Sequence, residues 1–212
     1  MRIDRAGFPF VAAAVVPAAG FAAARRYGLA ASLALLGGFF AYFFRDPERV
    51  VPSGDHLIVS PADGRVMIAG PAEEGLSPPG AWTQVAIFLS PLDVHINRSP
   101  VEGRVTRIEY RPGRFLPAYD GRANENELNE IWVDADGTPV VFRQVVGILA
   151  RRIVCRVEEG QRVSLGERIG LMKFGSRMDV FLPPGVALKV SVGQTVVGGE
   201  TVLACLRGND AA

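Results

Sequence analysis

Two uncharged apolar runs open the chain, Gly7 to Ala24 and Gly28 to Phe44, separated only by Arg25-Arg26-Tyr27. Each is close to the roughly 17 to 25 residues that a helix needs to cross a bilayer. From Asp46 the pattern changes to short β-branched runs broken at close intervals by Gly, Pro and Asp, which is the pattern of a mainly antiparallel β domain. It predicts strands at 57–60, 64–69, 83–89, 103–110, 129–134, 139–146, 152–157, 168–173, 178–182, 187–192 and 201–206, and no long amphipathic helix beyond residue 50. The expected organisation is a helical hydrophobic anchor over residues 1–45 and a β-rich domain over 46–212.

Arginines frame the anchor. Arg2 and Arg5 precede it, and Arg45 and Arg49 follow it. A hairpin with both ends in the cytoplasm fits the tendency of positive charge to stay inside, whereas Arg25 and Arg26 in the turn oppose it. Pro17 and the many Ala and Gly residues weaken the first run, so two full spans and a shallow re-entrant hairpin both fit. A cleaved signal peptide fits less well, because no polar cleavage region follows the first run before the second begins.

Within the β-rich part, 160–167 (GQRVSLGE) and 193–200 (GQTVVGGE) share Gly, Gln, Val, Gly and Glu at matching positions. Such paired turns are similar to those of lipoyl-carrier domains, where they close hairpins. The expected fold is therefore mainly β, a barrel-sandwich-like antiparallel domain behind an N-terminal membrane anchor. Gly175-Ser176 lies between the two copies, flanked by strand-like 169–174 and 178–182, and is expected on the hairpin that links them.

A Gly-Ser pair is ordinarily a turn, because Gly tolerates positive φ and Ser bonds its own backbone. Held rigidly between strands, the same peptide could cleave itself and leave a reactive ketone. The chain has 212 residues, 49% of them hydrophobic, and a formal net charge of +1, which gives no reason to expect nucleic acid as a partner. Only two cysteines, Cys155 and Cys205, are present, without CxxC spacing, and they read as buried small apolar residues. With only two histidines, His56 and His95, a catalytic zinc site is not expected. Proton transfer near neutral pH then falls to His95, which sits in the proline-bounded loop 90–100 with Asp93 and Arg98. Asp63, in the turn before a predicted strand, completes an Asp63, His95, Ser176 set that would allow an activated serine.

Four stretches carry a family resemblance: SPADGRV at 60–66, SPLDVHINRSPVEGRV at 90–105, the acidic ENELN at 125–129 and FGSRMDVFLP at 174–183. In this order they resemble the motifs of phosphatidylserine decarboxylases, and most of all the short bacterial and archaeal form with a hydrophobic N-terminal anchor. The resemblance spans residues 46–206. It implies a proenzyme in which the Ser176 hydroxyl attacks the Gly175 carbonyl and cleaves the chain into a β chain of 1–175 and an α chain of 176–212. Ser176 then becomes a covalent pyruvoyl group, with neither pyridoxal phosphate nor a metal. The ketone would form a Schiff base with the substrate amine and accept the electrons left by decarboxylation. Phosphatidylserine would become phosphatidylethanolamine and CO2, with His95 protonating the substrate carbon and Asp63 assisting activation of Ser176.

The resemblance also implies an inner-membrane location with the catalytic domain on the cytoplasmic side, a phospholipid substrate in the bilayer, and room for a homo-oligomer. One departure matters: longer members carry a second histidine where this chain has Arg98. Either His95 serves both maturation and decarboxylation, or Asp63 acts without a histidine partner. Arg98 would bind the substrate carboxylate or phosphate, or lie on the surface. Asp93 would orient His95 or cap the loop.

Two other readings stay open at this point. A membrane-bound serine hydrolase using Asp63, His95 and Ser176 would leave the chain intact, although no Gly-x-Ser-x-Gly elbow surrounds Ser176. A non-enzymatic lipoyl-carrier-like module would carry its modification on Lys173, which lacks the flanking residues of such a tip.

Overall fold

The computed structural model describes residues 2–120, 122–148, 152–173 and 175–206, and the chain divides into two compact units, Met1–Glu48 and Arg49–Ala212. In the first, Asp4 caps a 3-10 turn over Arg5–Gly7 by accepting the Ala6 N–H at 2.9 Å. The chain continues as α1 (Phe8–Ala23), turns at 24–26 and returns as α2 (Tyr27–Phe43). Pro9 stands in the first helical turn, where a missing N–H costs nothing. Short strands β1 (Arg2–Ile3) and β2 (Arg45–Asp46) pair and tie the two ends together.

Gly37 lets the helices approach, since a Cβ there would meet Val15 Cγ2 at 2.8 Å. Phe10 stacks on Phe44 at 5.2 Å and packs against Phe40 at 5.5 Å. Large apolar side chains such as Val16, Leu29 and Leu35 remain exposed on the hairpin, which marks an interaction surface. The segment Arg5–Ala23 is long and apolar enough to cross a membrane, whereas α2, at 17 residues, is shorter.

The second unit is built from strands. In chain order these are β3 (Leu57–Val59), β4 (Gly64–Pro71), β5 (Thr83–Leu89), β6 (Ile96–Arg98), β7 (Gly103–Arg111), β8 (Leu128–Ala135), β9 (Thr138–Val146), β10 (Ile153–Cys155), β11 (Arg162–Val163), β12 (Arg168–Met172), β13 (Ser176–Leu182), β14 (Thr195–Val196) and β15 (Val202–Cys205). Eight of them form one antiparallel sheet in the order β11-β7-β8-β9-β13-β5-β4-β14. Two smaller sheets, β10-β12-β6 and β15-β3, complete the unit. The core contains Val140, Phe142, Met178, Val180 and Leu182 from the central strands, together with Ile58, Ile169, Met172 and Leu203 from the smaller sheets.

The large sheet reads the same from either end, because the unit is an internal duplication. SPADGRV at 60–66 leads into β4 and SPVEGRV at 99–105 leads into β7. Ser60 and Ser99 each donate their hydroxyl to the carbonyl two residues on, at 2.6 Å in both cases. The paired Gly-Gln turns dock on distant strands: Val66 bonds Gln194 O and Gly193 N at 2.9 and 2.8 Å, and Val105 bonds Gln161 O and Gly160 N at 2.8 and 2.7 Å. At the centre of this arrangement lie β9 and β13.

Three local expectations are corrected. Residues 187–192 are not a strand; Leu188 forms only an isolated bridge to Ala204 as the chain leaves the Pro183-Pro184-Gly185 turn. Cys155 and Cys205 are half-buried free thiols, not fully buried ones. Most important for function, Gly175-Ser176 is not on a hairpin. β12 pairs with β6 and β10, whereas β13 pairs with β5 and β9, so Met172 and Ser176 belong to different sheets.

Candidate active site

Ser176 is the first residue of β13, opposite Leu89 of β5 and Val146 of β9. Side chains alternate across a strand, so Ser176 shares the inner face with the core residues Met178, Val180 and Leu182. It is fully buried, and its Oγ has no hydrogen-bond partner among the described residues. A buried hydroxyl in that state carries a desolvation cost of about 1–3 kcal/mol. Gly175, immediately before it, has φ +72, a conformation that suits glycine and breaks the extended path of the chain.

That break redirects the Gly175 N–H, which donates to Nε2 of His95 at 3.2 Å. On its other side the imidazole bonds the Asp93 carbonyl through Nδ1 at 3.0 Å. A carbonyl can only accept, so Nδ1 carries the proton and Nε2 presents its lone pair to the peptide beside Ser176. His95 is buried, and its own carbonyl accepts the Met172 N–H, which holds the loop before β6 against β12. Asp93 thus orients His95 through its backbone, while its carboxylate caps the loop by accepting the Ser90 N–H at 2.7 Å.

Asp63 is engaged elsewhere. Its Oδ2 pairs with Arg49 at 2.6 Å and its Oδ1 accepts the Gly198 N–H at 2.8 Å, so neither oxygen bonds His95 or Ser176. Burial pushes the Asp63 carboxyl above its usual range, against the lowering effects of the Gly198 N–H and Arg49, and the nearby charge of Asp93 pushes the same way as burial. The duplicated position is Glu102, which is exposed. Arg98 is buried, not on the surface, with Nη1 on the Gly166 carbonyl at 2.9 Å and its stem packed at Gly199. His56 remains exposed in its loop.

The structure therefore brings Gly175, Ser176, His95 and the Asp93 backbone together, and sets Asp63 and Arg98 around the Gly166 and Gly198-Gly199 turns. A hydrolase triad needs a carboxylate on the histidine, and here Asp93 O takes that place. Lys173 stands on the crossing between sheets, where it is half-buried, and not at a hairpin tip as a carrier module requires.

The sequence profile of the phosphatidylserine decarboxylase family matches residues 36–204 of this chain. A phosphatidylserine decarboxylase proenzyme of Anaplasma phagocytophilum is 45% identical over 209 residues, covering 97% of this chain and 91% of the relative. Proteins of the same description from Paramagnetospirillum magneticum and Pelodictyon phaeoclathratiforme are 43% and 48% identical, covering 99% and 83% of this chain and 89% and 82% of their own lengths. The chain belongs to the phosphatidylserine decarboxylase family.

Around the junction, this family member places polar groups that local sequence patterns do not single out. Asn126, within the acidic ENELN stretch, is buried and makes three bonds of 2.8 Å: it accepts from Leu116 N and donates to Leu116 O and Val146 O. It ties Leu116 to Val146, the residue that faces Ser176 across the sheet. Inside the barrel, Asn129 donates to Gln144 Oε1 at 3.1 Å, and Gln144 Nε2 donates to Asn97 Oδ1 at 2.9 Å. The Asn97 Nδ2 at the end of this chain of amides is buried without a partner. Gln144 lies opposite Met178, one inner-face position along from Ser176.

On the outer face of β13, Arg177 pairs with Asp179 at 2.9 Å and donates to Asn124, all largely shielded from water. The amide chain was hidden in the sequence because its members meet only across strands, Asn129 on β8, Gln144 on β9 and Asn97 on β6.

One consequence of the Asp63 environment is measurable in this decarboxylase family member. The folded protein holds the Asp63 proton more tightly than the unfolded chain does. Its contribution to stability is therefore complete below the unfolded carboxyl pKa and is lost as pH rises through the raised folded value. Asp63→Asn is expected to flatten the pH dependence of the melting temperature across the range just above the ordinary carboxylate pKa. Calorimetry at several pH values checks this, and an unchanged profile would show that Asp63 does not titrate in that window.

Proposed function

We propose that the chain is a proenzyme that cleaves itself between Gly175 and Ser176, and that the mature pyruvoyl enzyme converts phosphatidylserine into phosphatidylethanolamine and CO2. One observation carries this reading: a buried, unpartnered Ser176 Oγ at a junction where His95 Nε2 holds the Gly175 N–H at 3.2 Å. The enclosed Ser176 Oγ, with no hydrogen bond to lose, suits conversion of this residue into the covalent group. The products would be a β chain of 1–175 and an α chain of 176–212.

His95 has the lone pair that self-processing needs. Ser176 gives its hydroxyl proton to Nε2 as Oγ adds to the Gly175 carbonyl carbon. The bond from that carbon to the Ser176 nitrogen breaks, the proton passes to the nitrogen, and an ester remains. Loss of the Cα proton of residue 176 expels the Gly175 carboxylate. Water then replaces the nitrogen, which leaves as ammonia, and residue 176 ends as a ketone. In the mature enzyme that ketone supplies an electron sink for decarboxylation.

The remaining work belongs to side chains. His95, oriented by the Asp93 carbonyl, carries a proton to the substrate carbon that has lost CO2. Asp63 assists activation of Ser176 indirectly, by fixing the Gly198 turn through its Oδ1 and pairing with Arg49. Arg98 acts through the Gly166 and Gly199 turns and positions the loop that bears His95. The apolar hairpin of the first unit anchors the chain at the membrane, with Arg2, Arg5 and Arg45 at its open end favouring the cytoplasmic side. The substrate then lies in the same bilayer as the anchor.

Intact mass spectrometry of the detergent-solubilised protein tests the reading. The expected result is two chains divided at 175/176, the smaller lighter by one ammonia than an unmodified 176–212 peptide. A single unmodified chain in a preparation that releases CO2 from phosphatidylserine would overturn it.

A further inference from the structure

We propose that Gly147 is the seat of the scissile carbonyl, and that self-cleavage requires glycine at this position because the Gly175 carbonyl oxygen fills the space of a side chain. The inference rests on the self-processing reading above and concerns a residue outside the Asp63, His95, Ser176 set. A Cβ on Gly147 would lie 2.5 Å from the Gly175 oxygen, 3.3 Å from its carbonyl carbon and 3.4 Å from Ala118 Cβ. Side-chain atoms are not found within 3.0 Å of such a group without something shifting. Gly147 is not among the glycines with positive φ, so backbone conformation does not call for glycine here. Space does.

The backbone around Gly147 points the same way. Val146 gives its N–H to Glu127 O at 3.1 Å, and its carbonyl accepts from Asn126 Nδ2 at 2.8 Å. Both polar groups of Val146 thus face the β8 side. Backbone polar groups alternate between the two sides of a strand, so those of Gly147 face the β13 side, where Gly175 lies. A regular ladder would join Gly147 and Gly175 there. The ladder ends instead at Ser176 and Val146, and the Gly175 N–H goes to His95. Among the described residues the Gly147 N–H has no acceptor.

When Ser176 Oγ adds to the Gly175 carbon, negative charge develops on the oxygen seated at Gly147. The Gly147 N–H is on the strand side that faces Gly175 and has no other acceptor among the described residues, so it is available to donate to that oxygen as the charge develops. Ala118 closes the other side of the seat, and Asn126 holds its segment through both backbone groups of Leu116. An alanine at 147 would turn or displace the carbonyl, and with it the line of attack from Ser176.

The test is the rate of appearance of the 176–212 chain after synthesis, followed by pulse-labelling in wild type and in Gly147→Ala. The expected result is cleavage slowed by on the order of 10^2-fold or more, with the uncleaved chain accumulating. Folding is judged separately by comparing Gly147→Ala/Ser176→Ala with Ser176→Ala, neither of which can cleave; melting temperatures within a few degrees of each other are expected. Cleavage of Gly147→Ala at the wild-type rate would overturn the proposal. So would a double variant that fails to fold, because Gly147 would then be a packing residue. Failure of the wild type itself to cleave would instead remove the self-processing reading.

Discussion

Ser176→Ala is expected to leave one intact chain of 212 residues with no decarboxylase activity. In the proposed mechanism its Oγ attacks Gly175 and then leaves with the Gly175 carboxylate, which turns residue 176 into the ketone, and alanine has no atom that can do either. Stability moves the other way. The hydroxyl is buried and unpaired, and its removal relieves a desolvation cost of about 1–3 kcal/mol. The uncleaved variant is therefore expected to melt no lower than an uncleaved wild-type precursor. A functional group held at a cost to the fold is the usual trade between activity and stability. Gel analysis, intact mass and release of labelled CO2 from phosphatidylserine check the three parts. A cleaved Ser176→Ala chain would place the nucleophile elsewhere.

His95→Ala is the second large effect. The variant loses the acceptor of the Gly175 N–H and the only imidazole held at the junction. General acid–base catalysis by one positioned side chain contributes about 10^2–10^4-fold, and a loss of that size is expected in turnover per mature chain. Dividing CO2 release by the amount of cleaved α chain separates decarboxylation from maturation. Slowed cleavage with normal turnover per mature chain would restrict His95 to self-processing. Normal cleavage and normal turnover together would remove it from the site.

Much of the architecture can be read locally. The strand 83–89 was legible because a β-branched and apolar run is bounded by turn residues, and the apolar helical hairpin because two long runs lack any charge. The matching Gly-Gln turns pointed to a repeat, and SPADGRV with SPVEGRV is a second copy of that signal, visible in the sequence itself. The prediction at 187–192 failed because alternation alone does not make a strand; a neighbouring strand must accept its hydrogen bonds along the length, and only one bridge forms. Ile96–Arg98 was hidden for the opposite reason, since three residues between prolines gain strand geometry only by pairing with β12.

The β-rich class, the apolar hairpin and the kinds of residue present follow from pattern along the chain: one Gly-Ser junction among the family motifs and one histidine in a proline-bounded loop. Tertiary structure alone decided which of them meet. His95 reaches Gly175 across 80 positions of chain. Asp63, which reads as a member of a triad, spends its oxygens on Arg49 and Gly198. Gly147, just past a predicted strand, lies under the Gly175 carbonyl. The physical reason is that local pattern specifies which face of an element is buried, whereas hydrogen-bond partners and free space arise only when separate strands are brought side by side.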